Sequence, residues 1–223
     1  MARFARVVLP GCAHHVTQRG VRSMGLFFSD ADRQEYLRLL AEQGKEFGLR
    51  FLSYCLMTNH VHLVVVPRKA DSLARAIGEA HRLYTRRINF RQGARGYLFQ
   101  GRFFSCPLDE KHGIAAVRYV ERNPVRARLA KEAWDYRWSS AAFHAGLAEE
   151  DPLVVAGGWL GDAKTWRQYL KRDPEDMDQL RRRTRTGRPL GSERFMLRAE
   201  RATSRRLRPL PGGRPKLRSK GEN

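Results

Sequence analysis

Asn59-His60-Val61-His62 is the most informative run in the chain. On a β-strand, side chains two residues apart point to the same face, so His60 and His62 stand side by side and Val61 points away. On a helix the two would diverge by about 200°. The continuation Leu63-Val64-Val65-Val66 is short, apolar and β-branched, which places the pair on a strand. Two adjacent imidazoles suit a divalent metal with open coordination positions. The same spacing also fits two partly buried histidines that only form hydrogen bonds. A metal reading requires a further ligand, and chemistry requires a nucleophile.

Arg118-Tyr119-Val120-Glu121-Arg122-Asn123 offers both. Tyr119 and Asn123 are four residues apart and share one face if the segment is helical. A helix ending against a metal-bearing sheet would present the Tyr119 phenolate beside a metal-held phosphate, with an amide oxygen one turn away. Arg118 and Arg122 share the same four-residue spacing and form a cationic ridge one position over. Taken alone, Tyr119 is one of seven tyrosines and suits a core position equally well.

The elements that must position these residues follow from pattern. Ala13–Arg19 reads as a strand stopped by Gly20. Ser29 caps a helix carrying Tyr36, Leu37, Leu40 and Phe47. Strands follow over Leu49–Met57 and His60–Val66, joined at Thr58-Asn59. Asp71 or Ser72 caps a second helix, whose apolar stripe is Leu73, Ile77, Ala80, Leu83, Tyr84 and Ile88. Its other positions carry Arg75, Arg82, Arg86 and Arg87. Tyr97–Cys106 reads as a fourth strand ended by Pro107, and Asp109–Arg122 as a helix ended at Asn123-Pro124. Further helical pieces follow. The order β-α-β-β-α-β predicts an α+β, ferredoxin-like antiparallel sheet with both crossover helices on one face.

The chain has 223 residues and a formal net charge of +20, which points to a polyanionic partner. Residues 181–223 hold 15 Lys+Arg and 3 Asp+Glu, a net of +12, with few large apolar residues. This predicts a catalytic domain with a helical appendage over 1–173 and a basic, largely extended DNA-binding tail over 174–223. Two triplets in the tail, Gly187-Arg188-Pro189 and Gly213-Arg214-Pro215, suit a narrow minor groove, with Arg188 and Arg214 drawn to its negative potential. No apolar run approaches the ~20 residues that span a bilayer, and no signal-peptide core stands at the N-terminus. Three scattered cysteines without CxxC spacing argue against a disulfide framework or zinc knuckle and for a reducing cytosol.

Asn59-His60-Val61-His62 after Cys55-Leu56-Met57, together with Arg118-Tyr119-Val120-Glu121-Arg122-Asn123-Pro124-Val125-Arg126-Ala127, resembles the HUH transposases with a single catalytic tyrosine. More narrowly, the chain resembles the REP-associated tyrosine transposases. The resemblance extends to His15-Val16-Thr17-Gln18-Arg19-Gly20, Leu98-Phe99-Gln100-Gly101-Arg102-Phe103, Trp138-Ser139-Ser140 and Gly187-Arg188-Pro189-Leu190-Gly191. It implies cleavage and rejoining of single-stranded DNA at REP-like hairpins, with Mg²⁺ or Mn²⁺ held by His60, His62 and Asn123. Asn123 stands where the wider superfamily often has glutamine. Tyr119 would attack phosphorus, giving a 5′-phosphotyrosine and a free 3′-hydroxyl. The second helix and Arg102 would track phosphates, Phe103 or Phe104 would stack unpaired bases or sit in the core, and Arg118, Arg122, Arg188 and Arg214 would add DNA contacts. A nucleoid-associated cytoplasmic monomer or homodimer is the expected setting.

Three other readings share parts of this pattern. A relaxase or replication initiator of the HUH type would use the same nicking step. An RRM-like nucleic-acid binder has the same element order without the chemistry. A metal-dependent phosphodiesterase would use activated water in place of Tyr119.

Overall fold

A computed structural model describes residues 5–155 and 160–208. Strands β1 (Ala13–Arg19), β2 (Leu49–Leu56), β3 (His60–Pro67) and β4 (Phe104–Leu108) form one antiparallel sheet in the order β2-β3-β1-β4. Helices α1 (Asp30–Phe47) and α2 (Ser72–Gln92) are the two crossovers. This is the expected ferredoxin-like arrangement. The Ser29 hydroxyl accepts from the Asp32 amide and caps α1, and Gly48, at φ +67°, ends it in the left-handed region that glycine enters freely.

Alternation along β3 divides the protein into two layers. Val61, Leu63 and Val65 face α1 and α2, where they bury with Val16, Phe51, Tyr36, Leu40, Leu73, Ile77, Tyr84 and Ile88. The intervening Val64 belongs to the other face, with Cys55, Cys106, Val117, Tyr119, Val120, Trp166 and Leu180. Helix α3 (Glu110–Glu121) covers that face, and the Asp109 side chain caps it by accepting from the His112 amide. Short helices α4 (Asn123–Arg126), α5 (Ala141–His144) and α6 (Ala163–Tyr169) follow.

Two sequence expectations are corrected. The fourth strand spans Phe104–Leu108 and contains Pro107, whereas Tyr97–Cys106 was the expected span. Strand β4 is an edge of the sheet. Its Pro107 carbonyl accepts from the Leu190 amide, so this residue's backbone faces away from β1 and the missing N–H costs no ladder bond. The segment after 173 is not largely extended where it is described. It forms α7 (Met177–Thr186), ended by Gly187 at φ +71°, and α8 (Glu193–Thr203), capped by Ser192. Leu180 and Leu190 bury in the α3 layer, and Phe195, Met196, Ala199 and Leu207 bury against Val7, Leu9 and Cys12. Sparse apolar residues suffice because they fall on one side of each helix.

Candidate active site

The two histidines meet as their spacing predicts. Their ring centroids are 5.0 Å apart on the α3 face of β3. Helix α3 lays the Tyr119 ring 5.7 Å from that of His62, edge-on. Tyr119 is buried, and its hydroxyl accepts from Arg181 Nε at 3.2 Å. The Arg126 guanidinium lies 4.2 Å from the Tyr119 ring centroid. Two cations therefore flank the phenol, one on its hydroxyl and one over its ring.

Each histidine is tied through Nδ1. His60 Nδ1 lies 2.7 Å from Asn59 Oδ1, and His62 Nδ1 lies 3.1 Å from His15 Nε2. The His15 ring stacks on that of His62 at 5.3 Å, and its Nδ1 reaches Thr184 Oγ1 at 2.7 Å. Burial pulls His60 down to about 4 and His15 to about 3, and holds His62 well below the ordinary histidine value. The rings are thus neutral at pH 7, as metal ligation requires. Neither Nε2 of the pair bonds to a described residue, so two adjacent nitrogens of one face stay available to a divalent ion. Among the described residues no group of three His, Cys, Asp or Glu is arranged to hold a metal ion by itself. The donor set fits a metal held at two points with open positions.

The other expected residues divide. Asn123 is buried and donates through Nδ2 to the carbonyls of Tyr119 and Val120, which closes the end of α3. Arg118 and Arg122 form no free ridge. Arg118 donates to the carbonyls of Arg172 and Asp173, and Arg122 pairs with the Asp173 carboxylate at 2.7 Å, so both clamp the 170–173 turn. Arg75, Arg82, Arg86 and Arg87 ride on α2, across the sheet from the histidines. Arg75, Arg82 and Arg87 pair there with Asp71, Glu79 and Glu35. Arg102 is exposed beside a groove shared with Arg6, Phe104 and Arg185. Phe103 belongs to the α1/α2 core, with Arg6 stacked 3.7 Å above its ring, whereas Phe104 is half-buried. Arg188 donates to the Leu207 carbonyl, and its triplet is a connector along β4. Arg214 and its triplet lie outside the described residues.

Sequence reasoning missed His15, Thr184, Arg181 and Arg126. The β1–β3 register pairs Thr17 with His62, which puts His15 on the same face two residues along. The sheet order together with this register points to it. Thr184 and Arg181 carried no signal, because their segment read as tail. The Trp138-Ser139-Ser140 motif also finds a role. Ser140 Oγ donates to Glu121 at 2.7 Å, and Trp166 Nε1 donates at 2.9 Å to this fully buried carboxylate near the end of α3.

A ferredoxin-like sheet thus places the histidine pair beside a helix-borne tyrosine on one face. The chain belongs to the IS200-like transposase family, whose model matches residues 11–123, half of the chain. Among solved structures, a REP-associated tyrosine transposase bound to a REP hairpin is similar in fold, with a TM-score of 0.57 and 16% identity over 73% of this chain and 94% of that one. No curated protein matches the chain. Among the described residues no helix is long and apolar enough to cross a membrane.

Proposed function

We propose that this transposase is a metal-dependent single-stranded DNA endonuclease and strand transferase that acts on REP-like hairpins through a 5′-phosphotyrosine intermediate. The observation that carries the reading is the convergence of His60, His62 and Tyr119 on one face of the sheet. The hairpin is carried over from the solved structure of similar fold, whose protein is bound to one.

In this reading His60 and His62 would hold Mg²⁺ or Mn²⁺, with the Asn123 amide oxygen as a third ligand. The ion supplies Lewis-acid polarisation of the scissile phosphate and orients it. Tyr119 oxygen bonds to phosphorus and gives up its proton, the bond from phosphorus to the 3′-oxygen breaks, and that oxygen leaves as a 3′-hydroxyl by taking up one proton through solvent, so the proton count is unchanged. Arg181, which donates to the Tyr119 hydroxyl, and Arg126, which lies over its ring, position the nucleophile. A 3′-hydroxyl attacking the phosphotyrosine reverses the step and conserves the bond, so no nucleotide triphosphate is needed. The exposed Arg102, with Arg6 and Arg185 beside it, takes backbone phosphates next to the site. Arg75, Arg82, Arg86 and Arg87 add charge from the far side, and Arg188 and Arg214 contact the stem, giving affinity with little sequence information.

The test is a denaturant-resistant protein–DNA adduct on a REP-like single strand. Wild type forms it with Mg²⁺ or Mn²⁺ and not with EDTA, and His60→Ala and His62→Ala lose it while still binding the hairpin. Adduct formation in EDTA, or by the double variant, overturns the metal-dependent reading.

A further inference from the structure

We infer that His15 and Thr184 are positioning residues that hold His62 in its metal-ligating form, so that α7, from the basic C-terminal segment, helps to build the metal site. The inference rests on the proposal that His60 and His62 ligate a divalent ion.

An imidazole can ligate through Nε2 only when its proton sits on Nδ1, and that proton then needs an acceptor. For His60 the acceptor is fixed by the amide beside it. Asn59 Nδ2 donates to the Ser23 carbonyl at 3.1 Å, which turns Oδ1 toward His60 Nδ1, 2.7 Å away. His60 is therefore protonated on Nδ1 and has its lone pair on Nε2.

His62 has no such amide. Its Nδ1 faces another imidazole, His15 Nε2, at 3.1 Å. His15 accepts only if its own proton sits on Nδ1, and that atom lies 2.7 Å from Thr184 Oγ1. A hydroxyl accepts as readily as it donates, so Thr184 can end the chain. The ligating form thus has one direction of donation, from His62 to His15 to Thr184. The reversed chain puts the His62 proton on Nε2 and closes the ligand position. Ring packing supplies the orientation. His15 lies 9° from parallel to His62, and the edge of Tyr119 contacts both rings at 5.7 Å. His15 and Thr184 are each 2% exposed, so water does not replace either link. The two residues are 169 positions apart in the chain and are brought together only by the fold.

The experiment uses the full chain and measures Mn²⁺ affinity from the paramagnetic resonance signal of free Mn²⁺. Thr184→Val keeps shape and removes the acceptor, and it should weaken Mn²⁺ binding by about 10–100-fold. Thr184→Ser keeps the hydroxyl and should restore binding to near the wild-type value. His15→Phe should weaken it at least as much as Thr184→Val. Thermal unfolding reports whether each variant is folded. In the Mg²⁺-loaded wild type, ¹⁵N coupling across the hydrogen bond should connect His62 Nδ1 to His15 Nε2, with the proton on His62. Folded Thr184→Val that binds Mn²⁺ like wild type, while His62→Ala does not, overturns the relay and leaves the metal site standing. Equal binding by wild type and His62→Ala overturns both.

Discussion

His62 and Leu63 are adjacent in β3 and end on opposite faces of one sheet. Leu63 enters a layer of aliphatic and aromatic side chains from α1 and α2, where the requirement is apolar volume. His62 enters a layer where buried polar groups recur, and each needs a particular partner. His62 is met by His15, His15 by Thr184, and Glu121 by Ser140, His144 and Trp166. The first face is held mainly by apolar packing. The second depends on polar pairs brought from distant parts of the chain, and the proposed chemistry sits there. Removing a contact from the first face should cost stability alone, whereas losses on the second cost a defined arrangement.

The sharpest contrast is between the two neighbours. His62→Ala should abolish divalent-dependent adduct formation while the protein stays folded. Leu63→Ala should destabilise by about 2–5 kcal/mol through a cavity and leave adduct formation per folded molecule near wild type. A folded Leu63→Ala protein without activity would break the division between the faces. On the second face, Glu121→Ala strands His144, Ser140 and the Trp166 indole, and a loss of about 3–5 kcal/mol in chemical denaturation is expected.

This division also explains what could be read from the chain. The short β-branched run after His62 and the apolar stripe of α2 report burial, so the sheet, its crossovers and the adjacency of His60 and His62 were legible. Tyr119 was legible through its combination with the histidine pair and with Asn123 one helical turn on. The partners were not, since no periodicity links position 15 to position 184. The large apolar residues of the basic segment looked too few to fold it, yet Phe195 and Met196 fall on the side of α8 that packs and Leu190 buries between the two helices. Arg118 and Arg122 looked like a ridge because charge pattern does not show that Asp173 lies opposite. Pro107 looked like a stop because the outward side of an edge strand is a tertiary property.

A smaller effect tests the apolar face by pH. Burial pulls His81 down to about 3, and its Nε2 lies 2.9 Å from the Tyr36 hydroxyl. Its folded value is below its unfolded one, so the unfolded chain binds more protons between the two. Stability should therefore fall as pH drops below about 6.5, by up to about 1.4 kcal/mol per unit from this residue. His81→Gln should flatten that acid limb in thermal melts. An unchanged slope would mean that His81 is not held neutral.

The smallest effect concerns α2. If Arg75, Arg82, Arg86 and Arg87 contact phosphate, each alanine substitution should reduce the slope of log affinity against log salt by ~0.7 on single strands. Unchanged slopes would confine DNA to the histidine face.

The most direct test of the account is the identity of the residue that carries the DNA. The adduct formed with Mg²⁺ on a REP-like strand can be digested with protease and nuclease and read by mass spectrometry. The account predicts a nucleotide on the peptide containing Tyr119, and no adduct in Tyr119→Phe. A nucleotide on Tyr97 or Tyr136, or an adduct that survives in Tyr119→Phe, would contradict it.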